Sequence, residues 1–142
     1  MRDDRVFVDT NIIIYAYTAS VDWKHKIAME MMKDLWKTGL GVLSTQILQE
    51  FFVVVTKKIQ NPLDIKSAKE IVTDLLTWNI IINDGASILK AIELHKNYRC
   101  SFWDAMIIEA AIRGRCTTLL SEDLSNRQIM NGITIKNPFS QS

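Results

Sequence analysis

Four carboxylates in this 142-residue chain stand at positions where acidic residues are unusual. Asp9 and Asp123 follow apolar runs, in the stretches RVFVDTNIII and TTLLSED. Glu50 and Asp104 instead interrupt apolar patterns of helical spacing. The apolar neighbours three or four residues away are Ile47, Val53 and Val54 for the first, and Ile107 and Ile108 for the second. Carboxylates in apolar surroundings are uncommon unless they pair with cations or bind a metal.

A cluster of three or four carboxylates without His or Cys is the donor set of a hard cation, Mg²⁺ or Mn²⁺. Mutual repulsion would raise the pKa of at least one of the acids in the absence of the ion. With the ion, such a site can activate water and stabilise a phosphate during in-line displacement. His25 and His95 have no Cys or Glu at ligand spacing, and we interpret them as helix-surface residues.

Each acid taken alone also has a purely structural interpretation. Asp9 can cap the helix after the first strand, and Asp104 lies three residues after Ser101, as in a capping box. Glu50 can tilt toward solvent, and Asp123 can cap a turn. Four such acids in one chain favour a functional cluster over four unrelated coincidences.

The elements that position these acids alternate along the whole chain. The predicted strands are RVFV, LGVLS, NIII, TTLL and, at the sheet edge, ITIK. The predicted helices cover VDWKHKIAMEMMKDLWKTG, TQILQEFFVVVTKK, IKSAKEIVTDLLTW, DGASILKAIELHKNY and SFWDAMIIEAAIRG. Their predicted ends are Asp22, Asp64, Asp84 and Ser101 as N-caps, with Gly39 and Gly114 past the C-termini.

Strands that alternate with helices predict an α/β fold. We expect one domain over residues 1–142, with three α/β/α layers and a central, mostly parallel sheet of four or five strands. Ligands of such sheets bind beyond the carboxyl ends of the strands, which is where Asp9 and Asp123 lie.

Composition narrows the class of protein further. The chain is 48% hydrophobic and 23% charged, as in globular proteins that are soluble. No apolar run approaches the roughly 20 residues of a membrane helix. The stretch MRDDRV does not resemble a signal peptide, so we expect a cytoplasmic protein that does not associate with a membrane. The net charge of +1 neither requires nor excludes nucleic acid. Cys100 and Cys116 are too few for a disulfide framework and are predicted to be buried or half-buried free thiols.

The segments VFVDTNIIIYA, LSTQILQEFFVVVTKK, SFWDAMIIEAA and TTLLSEDLS, followed by GITIKNPF, resemble the PIN-domain ribonucleases, especially the toxins of VapC type. The resemblance covers nearly the whole chain and keeps the motif order. It implies that the acids bind one or two Mg²⁺ or Mn²⁺ ions and are catalytic. The implied catalytic and metal-binding residues are Asp9, Glu50, Asp104 and Asp123, supported by Thr10, Asn11 and Ser121. Thr10 and Asn11 would orient Asp9. Glu122 competes with Asp123 for the metal, and the spacing from Ser121 favours Asp123.

The implied function is a metal-dependent endoribonuclease that hydrolyses RNA phosphodiester bonds as the toxin of a type II toxin–antitoxin system. The implied partners are an RNA substrate, a cognate antitoxin protein and a second copy in a homodimer. Lys57 is a candidate RNA contact because it follows Glu50 by seven residues, two helical turns along one face; Arg99 is another. Lys58, Arg113 and Arg115 are further candidates, and each alone is also explained as a solvated surface charge.

Three alternatives stay open at this point. A PIN-like nuclease that is not a toxin, or a non-catalytic RNA-binding protein, would have the same fold. A phosphoryl-transfer enzyme or receiver domain also carries acids at strand ends, but VDTN has one acid and no glycine-rich phosphate loop is present.

Overall fold

A computed structural model of the protein describes residues 4–19, 21–124 and 128–140. Its strands are β1 (Arg5–Val8), β2 (Gly41–Ser44), β3 (Asn79–Ile81), β4 (Cys116–Leu120), β5 (Ile129–Met130) and β6 (Ile133–Lys136). Its α-helices are α1 (Thr10–Tyr17), α2 (Asp22–Thr38), α3 (Thr45–Val53), α4 (Ile65–Leu75), α5 (Gly85–Tyr98) and α6 (Phe102–Arg113), and a π-helical turn (Val54–Lys58) follows α3. The predicted α/β fold with a mostly parallel sheet is confirmed.

The sheet has six strands, in the order β3-β2-β1-β4-β6-β5. The prediction of four or five strands with ITIK at the edge is therefore wrong. The edge strand is β5, which pairs antiparallel with β6 through Ile129 opposite Thr134. A strand of two residues is too short to show an alternating pattern, so periodicity does not reveal it.

The first strand lies inside the sheet, where it pairs in parallel with β2 and β4. Its register places Val8 opposite Leu120, so β1 and β4 end side by side. The hydrogen bond from Asp9 N to the carbonyl of Leu120 (2.9 Å) continues this pairing into the loops. Residues that follow these two strands are consequently neighbours, although more than one hundred positions separate them in the chain.

Most helix ends follow the side-chain chemistry of the caps. Asp84 accepts a hydrogen bond from Ser87 N (2.9 Å), and Ser101 accepts one from Asp104 N (3.0 Å). Gly39 ends α2 in the left-handed conformation with φ 71°, which glycine adopts without a Cβ clash. Asp22 is the first residue of α2 and not its N-cap; Val21 occupies that position without a side-chain cap.

The fully buried core is formed by apolar residues of the inner strands and of the helices that flank them, including Phe7, Leu43, Phe51, Ile108 and Leu119. Cys100 is half-buried and Cys116 is buried, and both are free thiols, as predicted. Burial raises the pKa of Cys116 to about 12, so this thiol stays protonated and unreactive. Among the described helices, none has the length and apolar character needed to cross a bilayer.

An ion pair within α6, between half-buried Arg113 and buried Glu109, was not identified by sequence reasoning, and its arginine connects α6 with the end of β3. Glu109 is only 2% exposed, and its carboxylate accepts hydrogen bonds from Arg113 Nε at 2.8 and 3.1 Å. The same guanidinium donates to the carbonyl of Ile82 (2.8 Å) and to Asn83 Oδ1 (3.1 Å). Arg113 is therefore engaged within the fold, contrary to its interpretation as a candidate RNA contact.

Candidate acidic active site

All four predicted acids line one cavity of about 460 Å³ beyond the carboxyl ends of β1 and β4. They come from four different elements: Asp9 from the end of β1, Glu50 from α3, Asp104 from the first turn of α6, and Asp123 from the loop after β4. The acids differ in depth, because Asp9 is buried whereas Glu50 and Asp104 are half-buried and Asp123 is exposed. The fold thus assembles the cluster at the sheet edge predicted for ligand binding.

Asp9 is the buried acid of the cluster, with 6% of its surface exposed. Its Oδ1 accepts a hydrogen bond from Thr10 N (2.7 Å), and its Oδ2 accepts one from the hydroxyl of Ser121 (2.7 Å). Burial and, to a smaller extent, the charges of Glu50 and Asp123 raise the pKa of Asp9 to about 6, although these two hydrogen bonds act to lower it. The carboxylate is therefore ionised at neutral pH at an energetic cost that a bound cation would offset.

The side chains of Thr10 and Asn11 orient the other acids of the cluster. The hydroxyl of Thr10 donates to Glu50 Oε1 (2.8 Å), and Asn11 Nδ2 donates to Asp123 Oδ2 (2.6 Å). We expected both residues to orient Asp9, but the contact with Asp9 comes from the backbone N–H of Thr10 alone. Helix α1 begins at Thr10, so its first two side chains point toward different neighbours of the strand end.

The structure separates the roles of the adjacent acids Glu122 and Asp123. Glu122 forms an ion pair with Lys24 and accepts a hydrogen bond from the hydroxyl of Tyr15 (3.0 Å). Asp123 lines the cavity, and its backbone N–H donates to the hydroxyl of Ser121 (3.3 Å). Glu122 thus connects the loop after β4 to the helices beside it, and of the two acids it is Asp123 that lines the cavity.

The first turn of α6 is held against α3 by a contact that sequence reasoning missed. Gln46 is 6% exposed, and its Nε2 donates to the carbonyl of Trp103 (3.4 Å), directly before Asp104. Because Gln46 precedes Glu50 by one helical turn, the same helix carries Glu50 and holds the turn that carries Asp104. The signal available in the sequence was a polar residue four positions before an acid in an apolar stripe.

The lysine next to the site is Lys58 and not the predicted Lys57. Lys58 lines the cavity, whereas Lys57 is exposed and is not among its lining residues. The wider turn of the π-helical segment (Val54–Lys58) shifts the helical phase, so the spacing of seven from Glu50 no longer marks the same face. Arg99 lies exposed at the C-cap of α5 with φ 55°, outside the cavity lining. RNA binding by Lys57 and Arg99 remains a prediction.

The donor chemistry fits a hard divalent cation, since four carboxylates surround one cavity. Across residues 4–19, 21–124 and 128–140, however, no three His, Cys, Asp or Glu side chains converge closely enough to form a metal site as they stand. Two of the acids, Glu50 and Asp123, are hydrogen-bonded to Thr10 and Asn11. For three of these carboxylates to bind one ion together, at least one of them must therefore turn from its present position toward the others.

Comparisons with known proteins agree with the resemblance inferred from the sequence motifs. The model of the PIN domain family matches residues 6–129, which include all four acids. A search of the curated proteins found no match. Among solved structures, the fold is similar to a chain of a toxin–antitoxin complex from Klebsiella pneumoniae, with a TM-score of 0.69 and 19% identity over 94% of this chain and 98% of that chain.

Two further structures have the same fold. VapC20 of Mycobacterium tuberculosis, described as a sarcin-ricin loop cleaving toxin, aligns with a TM-score of 0.61 and 16% identity over 80% of this chain and 86% of that chain. VapBC2 of Rickettsia felis, crystallised with a DNA fragment from its promoter, aligns with a TM-score of 0.65 and 18% identity over 93% of this chain and 97% of that chain. Since the family model matches most of the sequence and the fold agrees, the chain belongs to the PIN domain family.

Proposed function

We propose that the protein is a Mg²⁺- or Mn²⁺-dependent endoribonuclease and the toxin of a type II toxin–antitoxin system. The observation that carries the proposal is the convergence of Asp9, Glu50, Asp104 and Asp123 on one cavity. Membership of the PIN domain family supports it. Further support comes from similar structures, which include a toxin that cleaves the sarcin-ricin loop and chains of toxin–antitoxin complexes.

In this proposal Asp9, Glu50 and Asp104 hold one divalent cation, and Asp123 completes its ligands or holds a second. When bound, the cation supplies an acidified water and stabilises charge on the phosphate. The chain positions the ligands: the hydroxyl of Ser121 holds Asp9, that of Thr10 holds Glu50, and the amide of Asn11 holds Asp123.

The partners follow from the same proposal. A cognate antitoxin would keep the nuclease inactive, and a second copy of the chain would complete a homodimer. In this proposal the protein acts on RNA in the cytoplasm. Co-purification of the chain with the product of a neighbouring small gene would test for an antitoxin. Measurement of the mass in solution by analytical sedimentation would test whether the chain forms a dimer.

Removal of divalent cations is expected to stop RNA cleavage completely. We expect the purified protein to cut single-stranded RNA in Mg²⁺ or Mn²⁺, to lose this activity in EDTA, and to regain it when the cation is added in excess, because in this proposal the cation acidifies the attacking water and stabilises charge on the phosphate. Gel analysis of a labelled RNA measures all three states. Cleavage that persists in EDTA would contradict metal dependence, and RNA that binds but stays intact in every cation would favour a non-catalytic RNA-binding protein.

The neighbouring lysines offer a matched pair for testing substrate contact. Lys58→Ala is expected to weaken RNA binding about fivefold at 0.1 M salt and to reduce the slope of log K against log salt by about 0.7, the value for one phosphate contact on a single strand. Lys57→Ala removes the same charge outside the cavity and should leave both quantities nearly unchanged. Fluorescence anisotropy of a labelled RNA in EDTA measures the two effects. Equal losses in both variants would mean that the cavity does not define the RNA path.

A further inference from the structure

An exposed tryptophan stands beside the acid cluster. Trp103 lines the cavity, yet 63% of its surface is exposed. The other exposed tryptophans, Trp23 and Trp36, lie outside this cavity and contact the rings of Phe139 and Trp78. Trp103 thus combines exposure with a place in the wall of the acidic cavity, where its aromatic face is available to a molecule bound there.

The backbone under this indole is held on several sides. The carbonyl of Trp103 accepts the hydrogen bond from Gln46 Nε2 (3.4 Å), and the adjacent Asp104 N donates to the Ser101 hydroxyl (3.0 Å). The ring of Phe102 meets the indole edge to face, with centroids 5.3 Å apart and planes at 71°. Trp103 is therefore an exposed aromatic surface on a fixed support, and binding to it costs little ordering of the chain.

The surroundings of the indole match the parts of one nucleotide. Asp104, the next residue, belongs to the acid cluster proposed to act on the phosphate, and Lys58 supplies a positive charge in the same cavity. A cavity of about 460 Å³ has the size of a small-ligand site. Bases stack on aromatic side chains whatever their sequence, and a lysine in the same cavity is suited to contact the phosphate of the stacked nucleotide.

We propose that Trp103 is a stacking platform for an unpaired base adjacent to the scissile phosphate. This inference rests on the proposed ribonuclease function. It specifies the substrate as RNA in which that base is unstacked from its neighbours, as in a single strand or a loop. The role is one of binding and positioning: Trp103 fixes the nucleotide so that its phosphate lies at the acids.

The test combines changes in the protein with changes in the RNA. An oligonucleotide that the wild-type protein cuts is prepared with single abasic positions on each side of the cleavage site. Wild type, Trp103→Leu and Trp103→Phe are compared on all of these substrates by kcat and KM. Trp36→Leu serves as the matched control, because it removes an indole outside the cavity, and thermal melting checks that each variant is folded.

We expect Trp103→Leu to raise KM for intact RNA about 5- to 150-fold, the range for loss of one stacked base, with kcat changed much less. Trp103→Phe should restore most of the affinity, and Trp36→Leu should behave as wild type. At one abasic position the difference between wild type and Trp103→Leu should disappear, since the base that stacks is missing. A purely structural role of Trp103 would not produce this dependence on a single base.

Three results would overturn the inference. Trp103→Leu that cleaves intact RNA with the KM of wild type excludes stacking, and a loss that is equal on every abasic substrate indicates a structural role. Loss of association with a protein partner, with RNA cleavage unchanged, would assign the indole to protein docking. These results differ from a failure of the proposed function, in which the wild-type protein itself does not cut RNA in Mg²⁺ or Mn²⁺.

Discussion

Asp9→Asn is expected to abolish RNA cleavage and, at the same time, to stabilise the folded protein at neutral pH. Activity should fall at least about 100-fold, because loss of residues that merely support metal ligands already costs about 10- to 100-fold. Stability should rise because burial and the charges of Glu50 and Asp123 hold the pKa of Asp9 at about 6, above its ordinary value of 3.8. A neutral amide of the same shape removes the cost of ionising this buried group.

The gain in stability has a definite pH dependence in protein freed of metal. The folded-state pKa of Asp9 is raised to about 6, so the penalty for ionising this residue in the fold reaches its full size above that pH. The penalty decreases as the pH falls from about 6 toward 3.8, the ordinary pKa of an aspartate, because Asp9 is then increasingly protonated in both the folded and the unfolded protein. The difference between the two pKa values limits the energetic penalty of ionising Asp9 in the fold to about 3 kcal/mol. The lost acceptor for the Ser121 hydroxyl reduces this figure.

Cleavage assays and denaturant melts at pH 7.5 and pH 4 in EDTA measure both parts of this prediction. Glu93→Gln on the exposed side of α5 is the control for loss of one acid outside the cavity, and it should cleave RNA as wild type does. A folded Asp9→Asn protein with wild-type activity would remove Asp9 from the proposed site. A variant that is less stable than wild type at pH 7.5 would show that the hydrogen bonds of Asp9 outweigh its burial.

Arg113→Met is expected to lower the free energy of unfolding by about 3–5 kcal/mol, the usual cost of leaving one charge of a buried pair without its partner. Glu109 is 2% exposed and accepts two hydrogen bonds from this guanidinium. The contacts with the carbonyl of Ile82 and with Asn83 would be lost as well. This is a large part of the roughly 5–15 kcal/mol that stabilises a typical domain.

Urea melts of Arg113→Met and of the double variant Glu109→Gln/Arg113→Met distinguish an uncompensated charge from lost packing. The double variant should recover part of the stability, since it leaves no buried charge. Lys90→Met, on the exposed surface of α5, controls for loss of a cation and should melt like wild type. Unchanged stability of Arg113→Met together with weaker RNA binding would instead support the original interpretation of Arg113 as an RNA contact.

Local chemistry explains why much of the fold was predictable. Asp64, Asp84 and Ser101 cap their helices as expected, because a cap depends on residues within one helical turn. Apolar runs identified β1 and β4 in the same way. The short strand β5 was missed, since its two residues derive their structure from pairing with β6 and not from their own pattern.

The amino-acid sequence by itself determined the family and the four acids that converge on the cavity, because residue type and position relative to strand ends are properties of the chain. Tertiary structure decided which atoms face one another. In the folded chain Glu122 forms an ion pair with Lys24, whereas Asp123 lines the cavity. Because of the π-helical turn, Lys58 and not Lys57 lines the cavity. These outcomes depend on helical phase and on contacts between distant segments, which no local spacing encodes.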